Sequence, residues 1–259
     1  MGFDITHCTL CPRKCGADRT VRTGFCGGGN GIRAARAALH FWEEPCISGI
    51  NGSGTVFFSG CPLRCCFCQN VPISLKNSGQ TISAERLAEI FLELQAQNAH
   101  NINLVTASHL LPWIVDALCI AKPHLHIPVV WNCGGYESEE SIAALEGLVD
   151  IFLPDFKFFD PETARAYANA PDYPETAKMA IAEMVRQVGN CDFDALGRIQ
   201  SGVIVRHLLL PGKVSEAKKI VSYLYETYGD DIYMSLMNQY TPGNDTGGEL
   251  EQFPELKRK

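Results

Sequence analysis

The chain has 259 residues, 46% of them hydrophobic, and a formal net charge of −7, which suits one large α/β domain with its own core. The acidic balance argues against a broad nucleic-acid-binding face, which needs a surplus of Lys and Arg. No apolar run approaches the ~20 residues that span a bilayer, and MGFDITHCTL lacks a basic-then-apolar leader, so a cytoplasmic protein with no membrane partner is expected.

Residues 1–53 are rich in Cys, Gly and Arg and lack strong periodicity, apart from RAARAAL, which reads as a short helical run. They are expected to form a Cys-rich, metal-binding N-terminal region, with residues 54–259 as the main domain. From Gly54 onward β-rich runs alternate with helical ones, the pattern of a parallel sheet built from βα units. Strands are expected over residues 55–59, 101–107, 127–133, 151–158, 202–210 and 232–240. Helices with 3.6-residue spacing are expected at SAERLAEIFLELQAQ, LPWIVDALCIA, SEESIAALEGL, PETAKMAIAEMVRQV and SEAKKIVSYLYETY. Ser83, Ser138 and Ser215 stand where a helix N-terminus wants an acceptor. Six parallel strands with right-handed crossovers fit either an open partial barrel or a doubly wound sheet.

The 12 cysteines are poor disulfide candidates in a reducing compartment, so metal or iron–sulfur binding is the main reading. Cys8, Cys11, Cys15 and Cys26 form a first group and Cys61, Cys65, Cys66 and Cys68 a second, while Cys46, Cys119, Cys133 and Cys191 scatter as core cysteines do. The first group supplies four thiolates, enough for a closed zinc site or a second iron–sulfur cluster, and both stay open. In the second, Cys61-x3-Cys65-x2-Cys68 puts three thiolates in one loop behind a strand. A 4Fe–4S cubane held at three corners keeps one iron free for a substrate or cofactor. Cys66 reads as a bystander, because a fourth ligand would close that iron.

Ligands gather at the C-terminal ends of parallel strands. There the sequence places Thr106, Ser108 and His109, then Asn132, then Asp155 and Lys157, then Arg206 and His207, and finally Asn238, Gln239 and Tyr240. Strand alternation puts Asp155 and Lys157 on one side, and pairs Asn238 with Tyr240 while Gln239 points away. Arg206 suits a carboxylate; His207 lies on the opposite face. His40, Trp42, Glu43 and Glu44 precede Cys46 and read equally as substrate contacts or as a solvated charged turn.

The C-x3-C-x2-C loop, with Phe67 in the aromatic position before its third cysteine, resembles the signature of the radical S-adenosylmethionine (SAM) superfamily. The phrases LHFWEEPCISG and GSGTVFFSGC, continued by LPDFKF, RHLLLPG and SLMNQYTP, are similar to pyruvate formate-lyase activating enzyme-like proteins of the PflX-related iron–sulfur branch. The resemblance covers nearly the whole chain and implies an α/β fold, a partial (β/α)6 TIM-like barrel. It implies that Cys61, Cys65 and Cys68 hold a 4Fe–4S cluster, that SAM chelates the fourth iron, and that one-electron reduction yields a 5′-deoxyadenosyl radical for hydrogen abstraction. It further implies cofactor contacts from Phe67, Thr106, Ser108, Asn132, Asp155, Lys157, Arg206, Asn238 and Tyr240, with Lys157 and Arg206 as catalytic residues. A reductant such as flavodoxin or ferredoxin and a glycyl-radical protein substrate belong to the same expectation. The rivals are radical modification of a small molecule and a non-catalytic iron–sulfur electron carrier or zinc-binding protein. One departure stands out: TASH, residues 106–109, occupies the place where activating enzymes carry GGE, leaving the hydroxyls of Thr106 and Ser108 for the SAM amino group. In the relatives FPELKRK is followed by more helix, so this barrel is expected to lack its final cover.

Overall fold

The computed structural model describes residues 3–242 and 249–257. Residues 3–31 form turns without helix or strand. The chain then runs through β1 (Ile32–His40), the short α1 (Pro45–Ser48) and β2 (Ser53–Phe58). The thiol-bearing loop leads into α2 (Val71–Ser74) and β3 (Gln80–Ile82). Helix–strand units follow: α3 (Ala84–Ala96) with β4 (Ile102–Val105), α4 (Leu111–Ala121) with β5 (Val129–Cys133), and α5 (Glu139–Ala143) with β6 (Ile151–Pro154). After β6 come α6 (Pro161–Ala168), α7 (Tyr173–Val188) and the two-residue β7 (Asp192–Phe193). β8 (Ile199–Leu208), α8 (Val214–Tyr228) and β9 (Tyr233–Met237) complete the sheet.

β2, β4, β5, β6, β8 and β9 are parallel neighbours in that order. The fold is therefore a partial (β/α)6 TIM-like barrel with a small Cys-rich N-terminal region. β1 pairs antiparallel with β2, β3 with β1, and β7 with the start of β8. Among the described residues β9 pairs only with β8, which leaves the barrel open on that side.

The run RAARAAL, expected as helix, lies in β1. Alanine and arginine favour helix, but that preference is worth only a few tenths of a kcal/mol per residue, about what pairing with β2 and β3 outweighs. Residues 32–53 thus join the sheet and the barrel floor, although composition grouped them with the thiols. Ser83 and Ser138 accept from the N–H groups of Arg86 and Ser141, each at 3.2 Å. Ser215 caps nothing, because α8 begins earlier with Lys213 at its N-cap. α6 was not expected; Asp160 opens it, accepting from the N–H of Thr163 at 2.9 Å.

Most of the parallel strands are largely apolar because both faces are covered, whereas β9 exposes Tyr233 and Leu236. Outside, Val56, Leu104, Trp131, Phe152 and Val205 pack with Phe91 of α3, Leu118 of α4, Ile181 of α7 and Ile220 of α8 in one core. Inside, Val130, Ile151, Leu153, Ile199 and Ile204 surround Ile47 of α1, so α1 plugs the barrel floor. Among the described residues no helix is long and apolar enough to cross a membrane.

Candidate functional site

Beyond β2 the chain turns at Gly60, with φ at 95°, where a Cβ would stand 2.6 Å from the carbonyl oxygen of Cys26. Only glycine permits that approach. The loop that follows puts Cys61, Cys65 and Cys68 on the wall of one cavity of about 760 Å³, a size typical of small-molecule sites. Cys66 lies outside that lining; its N–H donates to the carbonyl of Tyr167 at 2.8 Å. Burial pushes the Cys61 and Cys65 thiols up, and the Lys157 charge opposes this at both. Arg13 fixes the loop: its guanidinium donates to the carbonyls of Pro62 at 2.8 Å, Leu63 at 3.3 Å and Ala168 at 2.8 Å, and to that of Asn169. Phe67 lines the same cavity, edge-on to Phe158 and Tyr167 with centroids 6.0 and 6.2 Å away.

Asn132, Asp155, Lys157 and Arg206, at the ends of β5, β6 and β8, line the cavity together with Glu43. Arg206 Nε donates to Asp155 Oδ1 at 3.0 Å, and Lys157 Nζ pairs with Asp155 Oδ2. Arg206 Nη2 donates to Asn132 Oδ1 at 2.8 Å, and Nη1 meets Glu43 Oε1 at 3.4 Å. Glu43 Oε2 accepts from Asn132 Nδ2 at 2.5 Å and from Asn103 Nδ2 at 3.0 Å. Burial would raise the Asp155 carboxyl, but Arg206 and then Lys157 hold it below its ordinary value. Burial would lower Lys157, yet Asp155 and Cys65 keep it above. Glu43 moves the other way: burial outweighs Arg206 and Asn103 and lifts its carboxyl.

Thr106 and Ser108 also line the cavity. Thr106 adopts φ 58°, a left-handed conformation that a β-branched residue rarely takes. Ser108 bonds to Glu137, a lining residue whose carboxyl burial pushes up to about 7, against hydrogen bonds from Ser108 and Cys133. Glu137 Oε2 is left without a partner. His109 is structural: Nε2–H donates to the carbonyl of Ser59 at 2.8 Å. His207 does the same through Nδ1 to Phe156, also at 2.8 Å.

Asn238 and Tyr240 do not line the cavity; Met237 and Gln239 do. The expected parity was inverted. Inward-facing Arg206 and Leu208 of β8 pair with Ser235 and Met237, so odd-numbered positions of β9 face inward and Leu236 is exposed. Tyr240, past the strand's end, is buried instead against the C-terminal segment, donating to the carbonyl of Leu256 at 2.6 Å.

Glu137 and Cys133 line the cavity without having been singled out as site residues, and Glu43, left open between a substrate contact and a solvated turn, lines it too. Glu43 is no solvated turn: its side chain is 12% exposed. The only sequence signal is a pair of acids directly before a proline-started helix. Glu137 follows Gly134 and Gly135, and a Cβ on Gly135 would fall 2.0 Å from the carbonyl oxygen of Asp155, so the Gly-Gly pair marks the close approach. Cys8, Cys11, Cys15 and Cys26 lie outside the cavity lining, behind the loop, where the N–H of Cys61 donates to the carbonyl of Cys26 at 3.0 Å.

Among the described residues no three His, Cys, Asp or Glu side chains form a group that could hold a single metal ion. A cubane takes one thiolate at each of three separate irons, and three thiols on one cavity wall suit it. The unpartnered Glu137 oxygen and the Lys157 and Arg206 cations offer a charged ligand partners in the same space.

A parallel partial barrel with the thiols of a C-x3-C-x2-C loop facing its cavity defines the class of SAM-dependent radical proteins. The family model of the Radical SAM superfamily matches residues 55–219, and the chain belongs to that superfamily. It is 27% identical over 264 residues to MJ0674 of Methanocaldococcus jannaschii, described as an uncharacterized protein, across 98% of this chain and 70% of that one. Among solved structures it is similar to Streptococcus suis SuiB bound to precursor peptide SuiA, with a TM-score of 0.50 and 12% identity over 77% of this chain and 40% of that one. It is also similar to anSMEcpe with bound AdoMet, with a TM-score of 0.49 and 15% identity over 71% and 50% of the two chains. At 12% identity the likeness to SuiB is one of fold, and the chain spans half or less of those solved chains.

Proposed function

We propose that the chain cleaves SAM reductively at a 4Fe–4S cluster bound by Cys61, Cys65 and Cys68 and uses the resulting 5′-deoxyadenosyl radical to abstract hydrogen. The observation that carries this reading is the shared cavity: three thiols of one loop and the Glu43–Arg206–Asp155–Lys157 network line the same space. When bound, the cluster would supply the single electron that breaks the sulfonium carbon–sulfur bond, chemistry that belongs to the cofactor.

The chain's own residues bind, orient and exclude water. Lys157 places positive charge beside Cys65 and lowers the cost of keeping thiolates buried. With Arg206 it is the candidate partner of the SAM carboxylate, while Glu137 offers its free oxygen to the ammonium. Asn132, Thr106 and Ser108 offer polar groups to hydroxyls. Phe67 adds an apolar wall to the same cavity. The finer reading, activation of a glycyl-radical protein with flavodoxin or ferredoxin as reductant, is supported by the resemblance in LHFWEEPCISG and GSGTVFFSGC.

Anaerobically reconstituted protein given dithionite and SAM is expected to release 5′-deoxyadenosine and methionine, and C65A to release neither. Release by C65A would overturn the ligand assignment. Addition of a glycyl-radical protein should produce a glycyl signal in electron paramagnetic resonance (EPR); turnover of a small molecule without one would overturn the activation reading.

A further inference from the structure

β1 changes parity in its middle. Its register against β2 pairs Ala34 with Phe58 and then Arg36 with Phe57, so Ala35 is an extra residue and the strand bulges there. Without the bulge Arg36 would stand opposite Val56, a fully buried side chain of the outer core. With it, Arg36 stands beside Phe57, and both line the cavity. A bulge re-aims a side chain at the cost of a ladder position. This one turns an arginine away from an apolar interior, where it would be costly, and toward the mouth of the site.

Arg36 differs from the other cations of that lining. Arg206 and Lys157 pair with Asp155, while Arg64 donates to the carbonyl of Phe25 and lies 4.3 Å from the centre of its ring. The Arg36 side chain is exposed and, among the described residues, has no hydrogen bond, ion pair or ring contact. The wall it joins is apolar: Phe57 beside it on β2 and, from the other end of the sheet, Leu208 and Met237, which pair with each other on β8 and β9. His40, on the same face of β1 as Arg36, lines the cavity with its ring edge-on to Phe57 at 5.7 Å. A guanidinium without a partner on such a wall is a receptor for an anion, and its fork matches a carboxylate through two parallel hydrogen bonds. A single cation balances a carboxylate; a phosphate dianion asks for more.

We propose that the rim between β1 and the end of β9 is the substrate subsite, and that the substrate carries a carboxylate seated on Arg36 and an apolar stem laid along Phe57, Leu208 and Met237. Arg36 is then the residue that sets specificity. The carboxylate belongs to a small acid or to an acidic side chain of a polypeptide, which present the same chemistry to the guanidinium. The cavity so divided keeps two anions apart: Lys157 and Arg206, both largely buried, take the carboxylate of SAM, and the exposed Arg36 takes that of the substrate. The inference rests on the SAM reading, which gives the inner space to the cofactor.

The test is a saturation-transfer nuclear magnetic resonance titration of anaerobically reconstituted protein, held at saturating SAM without reductant. The probes are hexanoate against hexanamide, and the peptide acetyl-Ala-Glu-Ala-amide against acetyl-Ala-Gln-Ala-amide. At least one acid should bind roughly 10-fold more tightly than its amide. R36Q should erase that preference, R36K should keep part of it, and R36E should turn it toward hexylammonium. R33Q changes an arginine of the same strand outside the cavity lining and should bind like wild type. The tighter acid gives the source: hexanoate a small molecule, the glutamyl peptide a polypeptide. Acids bound no better than their amides, or bound equally by wild type and R36Q, overturn the proposal, as does a preference lost in K157Q and kept in R36Q. The SAM reading fails on a different result, a wild type that releases no 5′-deoxyadenosine from dithionite and SAM with no acid added.

Discussion

Arg206 joins three residues that would otherwise be poorly matched in one buried space. Its Nε, Nη1 and Nη2 engage Asp155, Glu43 and Asn132 separately, and a lysine ammonium is a point charge that cannot span them. R206K is expected to weaken SAM binding roughly 10- to 100-fold, about 1.4–2.7 kcal/mol. R206A should cost about 3–5 kcal/mol of folding stability, because two carboxylates lose a buried counter-charge. Equilibrium dialysis and urea melts read the two effects; wild-type affinity in R206K would make the guanidinium a bystander. Asp155, Lys157 and Arg206 were legible because parity along a strand carries to its end. Glu43 stayed undecided and Glu137 was missed, since nothing local says that α1 will seat in the barrel floor or that Gly135 will press against Asp155.

His109 gives a prediction in pH. Burial pushes its ring down to about 4; the Ser59 carbonyl opposes this and the Arg19 charge adds to it. The unfolded chain's histidine titrates near ~6.5, so below that value the unfolded state binds the proton and the folded state refuses it. This contribution to stability is complete above ~6.5 and is lost as pH falls toward ~4, by about 3 kcal/mol in all. Urea unfolding of cluster-free protein at several pH values should show H109Q with a shallower acid-side loss than wild type. Equal losses would assign the slope to other groups.

At the scale of elements, most of the parallel strands were readable because strands covered on both faces are nearly continuous apolar runs. β1 was not, because an edge strand of alanine and arginine has no apolar signature and is specified by its partners β2 and β3. The same pairing makes α1 matter: β1 delivers the chain to the barrel floor, Ile47 fills it, and Glu43 is thereby held among Asn103, Asn132 and Arg206. I47A should cost about 2–5 kcal/mol and also weaken SAM binding, because Glu43 loses its anchor. I220A removes an equally buried isoleucine from the outer core and should cost similar stability with SAM affinity unchanged. Equal losses of affinity in both would reduce α1 to general packing.

At the scale of the whole molecule, the N-terminal turns and the barrel are one assembly. Arg13 gathers carbonyls of Pro62 and Leu63 from the thiol loop and of Ala168 and Asn169 from the end of α6, and its guanidinium lies 4.5 Å from the Phe25 ring and 5.1 Å from that of Tyr136. Each hydrogen bond to a charged group is worth about 1.5–3 kcal/mol, so R13A should release the loop while the strands beneath stay paired. Hydrogen exchange gives the local reading. The amides of Cys66 and Cys68, bonded to Tyr167 at 2.8 Å and Cys65 at 3.1 Å, should exchange faster in R13A, while those of β4 and β5 keep wild-type protection. Protection lost evenly across loop and strands would mean that Arg13 supports the barrel as a whole and gives the three thiols no special hold.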